Sequence, residues 1–193
     1  MAKIIGFPDQ GSDQRGFEQL LQPHVDHLYR LAYRFAGNKP DAEDLVQDLM
    51  IKIYPRRQEL NQVENLRPWL VRVMYNLFID GKRRQNRSPI HLTVDNTTDY
   101  EGSDPLDYLE SENPGPEYET ARHLYNGHMV RTFDQLSNDH RMVLSLHDIE
   151  GYTLEEMTAI LDCPIGTLKS RLHRARARFR DLLKISLTEP QHD

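Results

Sequence analysis

Residues 153–184, TLEEMTAILDCPIGTLKSRLHRARARFRDLLK, predict two helices joined by a tight turn. Thr153 followed three residues later by Glu156 is the pattern of a capping box, which marks the start of the first helix. The apolar periodicity of that helix stops at Asp162-Cys163. Pro164 suits the first turn of a new helix, because its missing N–H would have no partner there. We therefore expect a second helix to begin near Pro164.

The second helix separates its apolar residues from its basic ones. Steps of four and three place one stripe toward a core, namely Leu168, Leu172, Ala175, Phe179 and Leu182. Residues 164–184 contain seven Lys/Arg and one acidic residue, a net charge of +6. A capped helix, a tight turn and a basic helix predict a helix-turn-helix, whose second helix enters the major groove of DNA. The alternative is a basic face that is only solvated, as charge runs usually are; the capping box and the proline favour DNA contact.

A helical wheel shows which side chains would face DNA. The residues that point most directly away from the apolar stripe are Ser170, His173, Arg174 and Ala177. The flanks carry the remaining cations, Lys169, Arg176 and Arg180 on one side and Arg171 and Arg178 on the other. Guanidinium groups match both phosphate oxygens and the paired acceptors of guanine, so this face suits backbone and base contacts alike.

The charge of the chain is unevenly distributed. The formal net charge of the 193 residues is -6, which taken alone argues against a polyanionic ligand. Residues 1–87 carry 14 Lys/Arg and 11 Asp/Glu, residues 88–121 carry none and nine, and residues 122–193 carry ten of each. The acidity therefore lies in one central segment. The single cysteine excludes an internal disulfide and a cysteine-based zinc site, and with no signal peptide or membrane span we expect a cytoplasmic protein.

The N-terminal half predicts three helices. The first runs from Phe17 to Phe35, with a break or kink required at Pro23. Pro40 opens the second, which ends at Tyr54. The third spans about 68–85 and ends in a basic cluster that exceeds what a helix C-terminus requires.

These patterns predict an all-α fold of two small helical domains. The first spans residues 15–87 and the second, which contains the helix-turn-helix, spans 118–185. Residues 88–117 are rich in proline and acidic residues, and predict a flexible acidic linker. In the second domain Ser137 should cap a helix that Gly151 terminates.

Two segments resemble bacterial sigma factors of the extracytoplasmic-function (ECF) type. The first is DAEDLVQDLMIKIY at 41–54 followed by RPWLVRVMYNLFIDGKRRQNR at 67–87. The second is LSNDHRMVLSLHDIEGYTLEEMTAILDCPIGTLKSRLHRARARF at 136–179, in which CPIGTLKSRLHRARARF is highly specific to that family. The resemblance covers about residues 17–87 and 122–184. It implies a transcription initiation factor that binds core RNA polymerase and promoter DNA.

The resemblance also implies roles for individual residues. The segment that docks on the clamp helices of the β′ subunit of core polymerase matches Asp44, Leu45, Gln47 and Asp48. The segment that grips and opens the -10 element matches Trp69, Arg72, Asn76, Asp80, Arg83 and Arg84. The segment that reads the -35 element matches Lys169, Ser170, Arg171, His173, Arg174 and Arg178. Two assignments stay open: Trp69 is either core packing or a stacking surface for bases, and Asp44 also complements a helix dipole.

The resemblance further implies an anti-sigma partner, and an acidic linker that either threads the RNA channel of polymerase or is a plain tether. One alternative is a helix-turn-helix regulator that uses residues 17–87 to dimerise and is not a polymerase subunit. An enzyme is the other rival, but the sequence lacks phosphate-binding, hydrolase and zinc-protease motifs. No cofactor or metal is expected, and the histidine pairs at 24/27 and 123/128 are interpreted as surface or packing residues.

Overall fold

The computed structural model describes residues 13–87 and 128–188, and all regular elements in these two ranges are helical. We call the two ranges the first and second lobe. The first lobe contains α1 (Asp13–Ala36), α2 (Lys39–Ile53) and α3 (Leu66–Arg87), with short 3-10 turns at Tyr54–Arg56 and Leu60–Gln62. The second contains α4 (128–134), α5 (Asn138–Leu144), a π-helical turn (Ser145–Ile149), α6 (Leu154–Leu161) and α7 (Ile165–Thr188). The all-α prediction is confirmed, and the predicted linker lies outside the described residues.

The start of α2 follows from its first residues. The Asn38 side chain accepts a hydrogen bond of 2.9 Å from the backbone N–H of Asp41, which satisfies one of the donors left open at a helix N-terminus. Pro40 occupies the first turn, as predicted. The apolar residues of this helix then lie in the core: Ala42, Leu45, Leu49 and Ile53.

The proline of α1 does not end the helix. The sequence predicted a break or a kink at Pro23, and α1 has no break there. The proline removes the hydrogen bond that residue 23 would have donated to the carbonyl of Gln19. Both residues are exposed, so water can satisfy that carbonyl, and burial of Leu21, Leu28 and Leu31 outweighs the loss.

The capping box of α6 and the turn before α7 form as predicted. The Thr153 N–H donates to Glu156 at 2.8 Å, and the Glu156 N–H donates to the Thr153 hydroxyl at 3.2 Å. Asp162 adopts a left-handed conformation with φ of 47°, which stops α6. Helix α7 then begins at Ile165, immediately after Pro164. The stripe of α7 is buried at Leu168, Leu172, Ala175 and Leu182 and half-buried at Phe179.

The two lobes pack directly against each other. Helix α3 lies against α6, and α1 lies against α5. The buried apolar side chains of both lobes form one continuous cluster. The second lobe therefore reaches the first through apolar contact as well as through the polar contacts described below.

Gly37 lies at this boundary and provides a stability prediction. Its φ is +84°, and an added Cβ would lie 3.1 Å from Nη1 of the buried Arg141 in the second lobe. Gly37→Ala should lower the free energy of unfolding by about 1–2 kcal/mol, because a left-handed backbone disfavours a side chain. Urea unfolding measures it. Gly81→Ala is the control, since Gly81 lies inside α3 with open space around it and should gain up to about 1 kcal/mol. Equal effects of the two substitutions would contradict this account.

Candidate nucleic-acid interface

Helix α7 exposes the polar residues that the sequence assigned to DNA. Burial of Leu168, Leu172 and Ala175 fixes the rotation of the helix. The opposite side is then exposed at Lys169, Ser170, His173, Arg174 and Arg178, whereas Arg171 is half-buried. The Arg174 Nε donates to the Ser170 carbonyl at 3.3 Å, so the guanidinium lies along its own helix and would have to swing outward to contact a base.

One cation of α7 is already paired within the protein. Arg176 makes two hydrogen bonds to the Asp148 carboxylate, with its Nε 2.9 Å from Oδ2. The hydrogen bond from Arg176 is the main cause of a lowered Asp148 pKa. The pair ties α7 to the π-helical turn. Sequence analysis missed it because the two residues are 28 positions apart and no local spacing signals the contact.

Helix α3 carries the second group of predicted DNA contacts on an exposed side. Arg72, Asn76, Asp80, Arg83 and Arg84 are all exposed. The Asp80 carboxylate lies 3.7 Å from Nη1 of Arg83, an exposed pair of little energetic weight. Trp69 is half-buried and packs against the core, so one part of its ring supports the helix while another remains accessible.

Helix α2 presents a third surface. Asp44, Gln47 and Asp48 are exposed on one side, whereas Leu45 is only 7% exposed and lies in the core. Leu45 therefore holds the helix in place and does not share the exposed surface. Ile51 does share it, because it follows Asp44 by seven residues and Asp48 by three, and it is 61% exposed. The sequence analysis did not name Ile51, although this spacing would have shown it.

Helix α3 lies beside α6, the helix that precedes α7 in the helix-turn-helix. Tyr75, next to Asn76 on α3, is half-buried, and burial raises its pKa. Tyr75 packs against the apolar cluster that both lobes share. The helix that carries the predicted -10 residues therefore contacts the second lobe through α6.

A cluster of polar side chains joins the two lobes. We call Glu150, His27, Arg34, Arg67 and Tyr152 the Glu150 cluster. The Glu150 carboxylate accepts from Arg34, lies 2.7 Å from Nδ1 of His27, and lies 3.3 Å from Nη2 of Arg67. The Tyr152 hydroxyl lies 3.0 Å from Nε2 of His27, and the Arg67 guanidinium lies 5.3 Å from the centre of the Tyr152 ring.

The environment of the Glu150 cluster favours an ionised carboxylate. Burial alone would raise the Glu150 pKa, but hydrogen bonds from His27 and Arg34 and their charges lower it to about 2. Burial raises the Tyr152 pKa to about 12, so its hydroxyl stays protonated. His27 was interpreted as a surface or packing residue, because Tyr152 lies 125 positions and Arg67 lies 40 positions away along the chain.

Comparison with known proteins identifies the family. The sigma-70 region 2 model matches residues 20–88, and the sigma-70 region 4 model matches residues 129–179. Together they cover more than half of the chain. The ECF RNA polymerase sigma factor SigE of Mycolicibacterium smegmatis is 35% identical over 86% of this chain. This chain belongs to the ECF sigma factors. Its alignment spans 61% of the mycobacterial relative and 91% of SigW of Bacillus subtilis, to which it is 28% identical over 89% of its own length.

Solved structures agree with this assignment. The sigma factor RpoE of Bartonella quintana, solved in complex with the anti-sigma factor NepR, has a TM-score of 0.62 and 28% identity, covering 89% of this sigma factor and 98% of that chain. CnrH, solved with the cytosolic domain of CnrY, shares the fold with a TM-score of 0.59 and 23% identity over 90% of this chain and 91% of CnrH. The site residues that the sequence assigned lie within the two matched regions.

Two searches of the described ranges gave negative results. Within residues 13–87 and 128–188, no helix is both long and apolar enough to cross a membrane. In the same part of the chain, no three His, Cys, Asp or Glu side chains are grouped so that they could hold a metal ion.

Proposed function

We propose that this sigma factor binds core RNA polymerase and directs transcription initiation at promoters with a -10 and a -35 element. The observation that supports this most is the presence, in one chain, of two separate exposed polar faces on α3 and α7, each in a sigma-70 region. A regulator with a single helix-turn-helix would need only the exposed face on α7. The protein acts without catalysis of its own and without a cofactor, in the cytoplasm, where promoters and polymerase are found.

The exposed flank of α2 is the proposed docking surface for the clamp helices of the β′ subunit. Its acidic residues, Asp44 and Asp48, would pair with basic residues of the partner, and Ile51 supplies an apolar centre. A single exposed aliphatic side chain is common on protein surfaces, so the proposal rests on the position of Ile51 beside Asp44 and Asp48 in a sigma-70 region 2. The docking residues are thus Asp44, Gln47 and Asp48, with Leu45 supporting them from the core.

The faces of α3 and α7 divide the promoter contacts. On α3, the arginines would hold the backbone of the opened strand, namely Arg72, Arg83 and Arg84. Trp69 would offer a stacking surface for a base, and Asn76 and Asp80 would offer hydrogen bonds. On α7, Ser170 and Arg174 would contact bases, and Lys169 and Arg178 would contact phosphates. Arg171 and His173 complete the -35 surface.

An anti-sigma factor is the expected inhibitor. The Bartonella quintana sigma factor of the same fold was solved with one, and the present chain covers 98% of its length. A partner of this kind would act by covering surfaces that polymerase needs, such as the α2 flank with its exposed Ile51.

Run-off transcription tests the proposal. Core polymerase and a genomic promoter pool should give new transcripts when this protein is added, and none without it. Tight, specific binding of the protein alone to duplex DNA as a dimer would instead favour a helix-turn-helix regulator. Failure to assemble with core polymerase would overturn the proposed function.

The docking surface provides a specific prediction. Asp48→Lys should weaken binding to core polymerase at least about tenfold, because it places a cation where the partner is expected to be basic. Fluorescence anisotropy of labelled protein titrated with core enzyme measures the affinity. Asp26→Lys, on the exposed surface of α1, makes the same charge change away from α2 and should leave the affinity unchanged. Parallel losses in both variants would point to net charge as the cause.

A further inference from the structure

A groove on α7 has the composition to bind a segment of this chain that contains both acidic and apolar residues. The groove lies on the flank that carries Lys169, Arg176 and Arg180, and we call it the α7 groove. We propose that residues 104–112 occupy the α7 groove in the free sigma factor and compete there with DNA. The proposal takes from the proposed function only that α7 contacts promoter DNA.

The α7 groove has an apolar part and a basic part. It lies between α7, the π-helical turn and the start of α6, and its volume is about 450 Å³. The apolar part consists of Leu154, Leu172 and Ala177. The basic and imidazole part consists of Lys169, His173, Arg176, Arg180 and His147. The four of these five that belong to α7 follow at steps of four, three and four residues, so they form one stripe about 17 Å long at ~1.5 Å per residue.

The electrostatics of the α7 groove suit an anionic ligand. None of the described residues that line it is acidic. Arg176 is already neutralised by the neighbouring Asp148, so Lys169 and Arg180 supply the positive charge of the groove. Lys169 and His173 also belong to the proposed -35 surface. A ligand in the groove would therefore exclude DNA from part of that surface.

Residues 104–112, DPLDYLESE, have the complementary composition. They lie outside the described residues, in the acidic segment 88–121 that carries nine acids and no Lys or Arg. Four of those acids fall within 104–112, and Leu106, Tyr108 and Leu109 lie between them. The carboxylates can pair with the basic stripe while the apolar side chains cover the apolar part of the groove. The DNA backbone matches only the first of these features.

The fold of the second lobe places the end of the acidic segment near the α7 groove. Nδ1 of His128, at the start of α4, lies 2.6 Å from the Ser186 hydroxyl oxygen near the end of α7. Ser186 follows Arg180 by six residues, which is about 9 Å along the helix at ~1.5 Å per residue. The residues between Glu112 and His128 can span about 50 Å at ~3.3 Å per residue. Residues 104–112 can therefore reach the whole groove.

The short connection makes a weak contact sufficient. Segments tethered in this way have a local concentration of about 1 mM. A dissociation constant of about 0.1 mM would then leave the α7 groove mostly occupied and weaken DNA binding about tenfold. Exposed ion pairs contribute little individually, so the apolar contacts should supply much of this affinity. Promoter DNA bound by the holoenzyme can displace a contact of this strength.

Photo-cross-linking of the full chain tests the occupant. Tyr108→benzoylphenylalanine places a photoreactive side chain within 104–112, and irradiation should join it to residues in the range 169–180, which mass spectrometry of the digest identifies. Tyr100→benzoylphenylalanine is the control, because Tyr100 lies in the acidic segment but outside 104–112, and it should give much less of this product. Absence of the product from position 108 would overturn the proposal. A cross-link between two chains would also overturn it, because a second copy would then supply the segment.

The groove side of the contact has its own test. Arg180→Glu reverses a charge that lines the groove, and should reduce the yield of the position-108 cross-link about fivefold or more. Arg178→Glu makes the same charge change on the opposite flank of α7 and should leave the yield unchanged. Circular dichroism checks that both variants keep their helices. Equal losses of yield would indicate net charge as the cause and contradict binding in the α7 groove.

Removing the apolar residues of the segment should raise the affinity of the free protein for DNA without changing its charge. Leu106→Ser combined with Leu109→Ser should tighten binding to a labelled duplex of about 40 base pairs of random sequence about three- to tenfold, because the competitor is weakened. Fluorescence anisotropy measures the affinity. Leu92→Ser combined with Val94→Ser is the control, in the same segment but outside 104–112, and should have no effect. Unchanged affinity in the first variant would contradict competition.

Failure of this proposal can be distinguished from failure of the proposed function. The cross-linking and duplex-binding experiments contain no polymerase. Normal run-off transcription without the position-108 cross-link would contradict only the occupancy of the α7 groove. Absence of run-off transcript from the unmodified chain with core polymerase would contradict the proposed function, whatever the cross-link shows.

Discussion

Replacing Arg174 with alanine is expected to weaken holoenzyme binding to its promoter about 5- to 150-fold, through one position of the -35 element. Arg174 is exposed on the side of α7 opposite the buried stripe. A bidentate contact between arginine and the O6 and N7 atoms of guanine contributes about 1–3 kcal/mol of discrimination. The loss of promoter affinity should therefore be large when the preferred base pair is present. It should be small on promoters in which that base pair has been replaced. Competition binding with single-position promoter variants measures both.

Arg178→Ala is the matched control, since Arg178 lies on the same helix and is also exposed. As a proposed phosphate contact, it should weaken binding similarly on all sequences and reduce the salt dependence by about one counterion. An identical loss on every promoter variant with Arg174→Ala would reassign Arg174 to the phosphate backbone.

Acid should remove about 3 kcal/mol of stability that the Glu150 carboxylate provides. Its pKa is lowered from 4.5 to about 2 in the folded protein, so ionisation of this carboxyl stabilises the folded state. That stabilisation is fully present above pH 4.5 and is lost as pH falls toward 2. The shift of about 2.5 units corresponds to about 3 kcal/mol at ~1.36 kcal/mol per unit, of which about 2 kcal/mol is gone by about pH 3.

Urea unfolding of the protein and of Glu150→Gln at pH 6 and at pH 3 isolates this contribution. Other carboxylates titrate in both proteins, so their effects cancel in the difference. The difference in free energy of unfolding should shrink by about 2 kcal/mol between the two pH values. A difference that does not depend on pH would show that the carboxylate is not stabilised by its partners.

Local signals allowed much of the fold to be predicted from sequence. The capping box at Thr153 and Glu156, the proline before α7 and the stripe from Leu168 to Leu182 depend on neighbours within one or two turns. Such local patterns predict the same helices in any tertiary structure that buries the same apolar stripe. Pro23 shows the limit, because burial on both sides of it kept α1 continuous.

The contacts between lobes could not be predicted in the same way. Glu150 and His27 are each ordinary in their own segments, an acid before a glycine and a histidine within a helix. The two residues come into contact only when α1, α3 and the π-helical turn pack together. No spacing along the chain predicts that packing. The exposed faces of α2, α3 and α7 were easier to predict from sequence, because helical periodicity alone separates exposed residues from Leu45 and the other core residues.

The pairing of Arg176 with Asp148 affects how the protein responds to ionic conditions. Each arginine that reaches the DNA backbone displaces a condensed counterion, and the number displaced sets how steeply affinity declines as potassium rises. An arginine already neutralised by its own chain displaces none. Promoter occupancy should consequently decline less steeply with potassium concentration than the +6 charge of residues 164–184 suggests.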